Sequence, residues 1–208
     1  MISGFRFPTS APRIPRGFSL MELLVVIAII AILAGLSMPA LTQTLRASRV
    51  TSAGQTVVDH LNFARQTAIS RNLPVEVRLY KLPGYTAQNS DSPQVYRAIQ
   101  SFLRNDTNLV PLTKPEYFSS PAIFSENAAY SSLLDILTET NSVTERVSAY
   151  GLNYKYRSFL FKPGGSTSLT TNAFVTIVLE NTQDLSQGAN FLTVQIDPTT
   201  GRTKTFRP

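Results

Sequence analysis

The chain has 208 residues, 43% of them apolar and 15% charged, with thirteen prolines and neither cysteine nor tryptophan. That composition suits one ordinary globular domain plus a strongly apolar segment; it excludes disulfides, zinc–thiolate centres and a cysteine nucleophile, and leaves the redox compartment unmarked. Nineteen Lys and Arg against thirteen Asp and Glu give a formal charge of +6, which on its face points to an acidic partner such as nucleic acid or an anionic membrane.

Residues 1–17, MISGFRFPTSAPRIPRG, contain three arginines (Arg6, Arg13, Arg16), three prolines and no acid. The prolines oppose a stable helix, so this segment reads as a basic leader. From Phe18 the text becomes FSLMELLVVIAIIAILAGL, in which Ser19 and Glu22 are the only polar residues before Ser37. At ~1.5 Å per residue a helix from Phe18 to Leu36 reaches ~28 Å, close to the hydrocarbon thickness of a bilayer.

Three readings account for this segment. A cleaved secretory signal would use Gly35-Leu36-Ser37 as its small-residue cutting site. A plain signal anchor would use the arginine-rich flank to hold its N-terminus in the cytoplasm, since Arg46 and Arg49 barely offset the leader. Neither has a use for Glu22, a carboxylate inside an apolar run that costs ~2.5–3.5 kcal/mol on insertion scales unless a cation partners it. The run Arg16-Gly17-Phe18-Ser19-Leu20-Met21-Glu22-Leu23-Leu24-Val25-Val26-Ile27-Ala28 resembles the N-terminal signature of type IV pilins and pseudopilins. The resemblance implies that a membrane aspartyl prepilin peptidase cuts after Gly17 and N-methylates Phe18. It implies further that Glu22 pairs with the N-terminal amine of a neighbouring subunit and sets register along a filament. The alternatives for Glu22 are snorkelling to the headgroups or facing its own chain's Phe18 amine. Pro39, one turn after Gly35, predicts a kink, as pilin-like helices often carry, or marks the exit from the membrane.

Beyond Pro39 the sequence turns amphipathic. Val50, Gly54, Val57, Leu61, Ala64 and Ala68 fall at alternating four- and three-residue steps, with Val58 and Ile69 beside them, while Arg49, Gln55, Asp59, Gln66 and Ser70 fall off the stripe. This predicts a helix half-packed on a globular head and ending near Asn72 and Pro74. The small residues on the stripe let a sheet approach closely. After Pro74 the text becomes strand-like: Val75–Tyr80, Tyr96–Leu103, Tyr156–Phe161, Phe174–Leu179 and Phe191–Ile196 are rich in β-branched and aromatic residues. Loops are signalled at Pro83-Gly84, Asn89–Pro93, Pro163-Gly164-Gly165 and Pro198–Gly201, and a short helix around Tyr130–Leu137.

The predicted fold is α+β: a pilin-like lollipop with one long N-terminal helix, membrane-embedded in its first half and amphipathic in its second, packed on a mainly antiparallel β-rich head. The predicted divisions are a cleaved leader (1–17), a transmembrane and assembly helix (18–38), its amphipathic continuation (39–73) and the head (74–208). Within the superfamily, Phe63–Val75, Phe161–Ser166 and Ile196–Arg202 resemble the helix-end motif, the "FxPxG" turn and the closing strand–turn–strand of GspH/FimT-like minor pseudopilins. The implied partners are other pilin or pseudopilin subunits, the prepilin peptidase and the inner membrane, with the N-terminus cytoplasmic and the head periplasmic.

No Gly-x-Ser-x-Gly, phosphate loop, His-Glu-x-x-His or acidic calcium loop occurs, and the carboxylates are scattered singly, so a structural subunit without catalytic residues, metal or cofactor is expected rather than an enzyme. His60, the one histidine, is expected to be a surface or packing residue. Family members bind DNA through basic C-terminal residues, and Arg202, Lys204 and Arg207 stand within six positions here; a DNA-binding minor pilin is the alternative function. The competing explanation is an edge strand whose cations discourage edge pairing. Removing the leader's three arginines leaves sixteen basic residues against thirteen acids, or +3, so half the apparent basicity is a topology signal.

Overall fold

The structure is a computed structural model that describes residues 17–85, 93–105, 108–142, 147, 151, 154–182, 185 and 190–207, and for 36–40 the backbone alone. The leader before Gly17, most of the Asn89–Pro93 loop and the side chain of Pro39 lie outside the described residues.

One helix, α1, runs from Leu20 to Arg71. Ser19 starts it: its Oγ accepts the Glu22 N–H at 3.1 Å and its carbonyl accepts the Leu23 N–H at 3.2 Å, which satisfies amides that would otherwise be orphaned at a helix N-terminus. Glu22 occupies the first turn and Arg71 the last, each with the sign that the helix dipole favours. Asn72 ends the helix in the left-handed region, φ +53, and Pro74 prevents continuation. The chain divides into two compact units at Thr42/Gln43. The second unit contains the rest of α1 and the β-rich head.

Among the described residues the head holds ten strands in two antiparallel sheets. β1 (Val75–Pro83), β2 (Gln94–Asn105), β3 (Asn108–Pro111), β4 (Glu116–Tyr117), β6 (Glu139–Ser142) and β7 (Tyr154–Phe161) form the first, in the order β3-β2-β1-β7-β6, with β4 also on β2. The second has the order β10-β9-β8-β5 and comprises β5 (Ala122–Phe124), β8 (Ala173–Leu179), β9 (Leu192–Ile196) and β10 (Thr203–Phe206). The five expected strands are present as β1, β2, β7, β8 and β9, each within two or three residues of its predicted ends. The expected short helix is α2, Ser132–Ile136.

The apolar stripe of α1 meets both sheets. Val50, Val57, Leu61, Ala64 and Ala68 are buried and share one core cluster with Val75, Val77 and Leu79 of β1 and Val175, Ile177, Val194 and Ile196 of the second sheet. Arg49, Gln55, Asp59, Gln66 and Ser70 are exposed, as their positions off the stripe require. Ile69 departs from the pattern at 44% exposure, because it lies one residue past the buried Ala68 at the last turn, beyond the sheets. Gly54 shows why small residues stand on this face: a Cβ there would lie 2.6 Å and 2.7 Å from the two Cδ atoms of Leu192.

The outer face of the first sheet is covered as well. The alternation Val75-Glu76-Val77-Arg78 suggests a strand with one wet face, yet Glu76 and Arg78 are 6% and 3% exposed. Arg78 Nε donates to Glu76 Oε1 at 2.7 Å, and its guanidinium lies 4.5 Å from the Phe102 ring centre and 4.4 Å from that of Tyr156. Around this pair Tyr80, Phe102 and Tyr154 build a second small core, with Leu109 of β3 and Tyr117 of β4 packed against it.

Glu139 of β6 ties three strands together. Its carboxylate accepts from Lys155 Nζ at 2.8 Å and from Tyr96 OH at 2.8 Å, with Lys81 Nζ at 3.7 Å. The Lys155 hydrogen bond above all holds its pKa below the usual glutamate value, while burial pushes the Tyr96 phenol up. A depressed carboxyl pKa stabilises the fold above the ordinary glutamate value of ~4.3, and that contribution is lost as pH falls through the depressed value. Glu139→Gln is therefore expected to cost about 1–2 kcal/mol at pH 7, or about 2–8 °C in Tm. In thermal unfolding the difference between the two proteins should shrink between pH 7 and pH 3; a difference independent of pH contradicts the assignment.

Candidate functional site

The N-terminal unit presents Gly17, Phe18 and Glu22, the sequence-predicted site residues, in the open. Gly17, Phe18 and Ser19 precede the helix in non-helical conformation, no atom lies within 4 Å of where a Gly17 Cβ would stand, and Phe18 is 78% exposed. The Gly17–Phe18 bond is thus exposed and outside the helix. Glu22 is exposed four residues on, in the turn where backbone N–H groups and the positive end of the dipole favour a carboxylate.

Every described residue from Gly17 to Gly35 is exposed, including Leu23, Leu24, Val25, Val26, Ile27, Ile29, Ile30, Ile32 and Leu33 at 44–64%. A helix apolar on all sides belongs in a protein core or a membrane, and this chain supplies no cover for it among the described residues. Among the described residues no helix is long and apolar enough to cross a membrane.

The C-terminal cations do not converge. Arg202 and Lys204 line a cleft of about 280 Å³ with Asn172, Gln195, Asp197 and Thr200. Arg207, in contrast, donates from Nη2 to Thr51 Oγ1 on α1. Between β9 and β10 the turn is fixed by Asp197, whose Oδ1 accepts the Thr199 and Thr200 N–H groups at 2.8 and 2.9 Å; these bonds hold its pKa below the usual aspartate range. Gly201 closes the turn at φ +63, a conformation that a side chain resists. Arg65 of α1 donates Nε–H to the Thr200 carbonyl at 2.7 Å and braces it.

His60 is a packing residue, 7% exposed, with Nε2 2.7 Å from Glu116 Oε2. Among the described residues no group of three or more His, Asp and Glu could hold a metal ion.

Residues 13–38 match the prokaryotic N-terminal methylation motif. That motif is all that a family model recognises in the chain, and it covers the N-terminal segment alone. The match spans the proposed cut, Glu22 and the whole exposed apolar run. No curated protein matches the chain in sequence. Among solved structures it is similar to the type IV minor pilin FimU of Pseudomonas aeruginosa in two crystal forms. Both are 12% identical; one covers 76% of this chain and 97% of that chain at a TM-score of 0.44, the other 77% and 93% at 0.46. It is also similar to the minor pseudopilin EpsH from the Type 2 Secretion System of Vibrio cholerae, at 9% identity, covering 77% and 98% with a TM-score of 0.43. The chain thus combines a methylation-type N-terminal motif, one long helix and an antiparallel β-rich head on the helix's second half.

Sequence reasoning missed the company kept by Arg202 and Lys204. Gln195 and Asn172 share their cleft because β9 lies between β10 and β8, whose start Asn172 precedes, an order that the strand texts alone do not encode.

Proposed function

We propose that the chain is a non-enzymatic, membrane-anchored structural subunit of a type II secretion pseudopilus or type IV pilus-like filament, a minor subunit of the GspH/FimT kind. The observation that carries this is the fully exposed, all-round apolar helix directly behind a methylation signal. Such a helix needs a continuous apolar environment, and lipid before assembly and neighbouring helices after it supply one in turn.

Prepilin peptidase removes the leader after Gly17 and methylates Phe18. The new amine then stands in reach of a carboxylate at the start of a helix, either its own Glu22 or that of a neighbour. Inserted from the cytoplasmic side, the helix places its head in the periplasm at the inner membrane, the orientation that the leader's arginines favour. Leaving the bilayer for the filament exchanges lipid contacts for helix contacts at little hydrophobic cost, so register is decided by the one charge in the apolar run. Pro39 withdraws one backbone hydrogen bond and so lets the helix bend at that point.

Glu22→Val tests the assembly role. Processing and membrane content of this variant should match the native chain, because the cut lies outside the helix, while recovery in sheared filaments should fall at least tenfold. Equal recovery of both proteins in the filament fraction contradicts it.

A further inference from the structure

Strand register in the second sheet lays out a mixed polar, charged and aromatic surface. Ala173, Val175 and Ile177 of β8 and Leu192, Val194 and Ile196 of β9 face the core, so Phe174, Thr176, Thr193 and Gln195 face outward by the two-residue period. Phe174 pairs with Gln195, and Gln195 with Lys204; Thr176 pairs with Thr193, and Thr193 with Phe206. The face therefore carries an aromatic–amide–ammonium row beside a hydroxyl–hydroxyl–aromatic row. Phe174 is partly exposed and Phe206 is 51% exposed.

Two concavities adjoin on this face. The cleft of Gln195, Arg202 and Lys204 encloses about 280 Å³ and the one beside it, walled by Tyr130, Phe174 and Phe191 over Thr176 and Thr193, about 290 Å³. Phe174 and Gln195, paired across β8 and β9, stand one on each side of the boundary. The floor is rigid: Thr176 Oγ1 donates to the Tyr130 carbonyl and lies 2.8 Å from Thr193 Oγ1, and the Thr176 N–H donates to Ser131 Oγ at 3.1 Å.

We propose that this outer face of β8, β9 and β10 binds an acidic polysaccharide, a glycan chain bearing uronate carboxylates. A ligand that uses the whole surface must offer apolar C–H faces to Phe174 and Phe206, hydroxyls to Gln195 and Asn172, and an anion to Arg202 and Lys204. Sugar rings carrying a carboxylate meet all three demands. The charge density selects the polymer: the two cations share their cleft with Asp197, whose ionised form is favoured by the Thr199 and Thr200 amides. A phosphate backbone draws on a dense row of cations for its affinity, and this face supplies two cations beside one fixed anion. A glycan with one carboxylate per sugar ring is less densely charged than duplex DNA, which carries about one charge per 1.7 Å of axis, and its rings take over the apolar contact.

The test uses the full chain in detergent micelles with polygalacturonate as probe, neutral dextran as control and duplex DNA as competitor. Three variants accompany the native chain: Arg202→Ala with Lys204→Ala, Phe174→Ala, and Phe206→Ala at the half-exposed edge strand, where folding is undisturbed. Polygalacturonate should bind, dextran at least tenfold more weakly, and both the double variant and Phe206→Ala should lose at least fivefold in affinity with unchanged Tm. Phe174→Ala should lose as much, its Tm reporting any separate loss of fold. The proposal is overturned if polygalacturonate does not bind, if Phe206→Ala binds as well as the native chain, or if duplex DNA displaces the glycan at equal or lower charge concentration.

Discussion

Gly54→Val is expected to lower the stability of the head by about 2–4 kcal/mol, seen as a fall of roughly 5–15 °C in Tm at this chain length. Glycine in the middle of a helix ordinarily costs about 0.5–1 kcal/mol relative to alanine; at Gly54, within the 52-residue α1, a side chain does not fit. Leu192 of β9 occupies that place: a Cβ on Gly54 would stand 2.6 Å and 2.7 Å from its Cδ atoms and 3.0 Å from Cγ. A β-branched residue adds a second clash and a restricted rotamer. Leu192→Ala alone opens a cavity and also destabilises, by about 2–4 kcal/mol. The pair Gly54→Val with Leu192→Ala should be more stable than the sum of the two losses allows, because the new methyls fill the space that the leucine vacates. Strict additivity in the double-mutant cycle would show that helix and sheet do not meet through this contact.

Arg78→Met is the second large loss, about 3–5 kcal/mol, because it strands the Glu76 carboxylate in a site where the native residue is 6% exposed. The apolar replacement keeps contact with Phe102 and Tyr156, so the loss measures the uncompensated charge and not the packing. Glu76→Leu added to Arg78→Met should recover most of the stability, since a buried ion pair is often no better than an apolar pair of the same volume. Guanidinium chloride unfolding separates the cases: the single variant should shift its midpoint strongly to lower denaturant, and the double variant should return most of the way. A double variant as unstable as the single one contradicts the account.

The long helix and the strands were legible because each has one decisive period. The stripe through Val50, Val57, Leu61, Ala64 and Ala68 is helical in spacing and buried in fact, and the β-branched runs of β1, β8 and β9 lie in the core. Short elements were less legible. β3 is exposed at three of its four positions, β4 is two residues long and β6 reads Glu-Thr-Asn-Ser, so their pairing with β2 and β7 makes them strands and their own propensity does not. Glu76 and Arg78 misled for a related reason: alternation reports which residues share a face, not whether another layer covers it. The processing signal needed no tertiary information, because a cut site, a carboxylate and an apolar run are contiguous in sequence. The outer face of the second sheet needed all of it, as Phe174, Gln195 and Lys204 are far apart in the chain and become a row only through strand order.

The most direct test of the central claim is the mass of the N-terminal peptide of the protein isolated from membrane or filament fractions. A chain handled as a prepilin begins at Phe18 with a methylated amine, its leader gone after Gly17. A peptide that begins at Met1, or one that begins after Ser37, contradicts it.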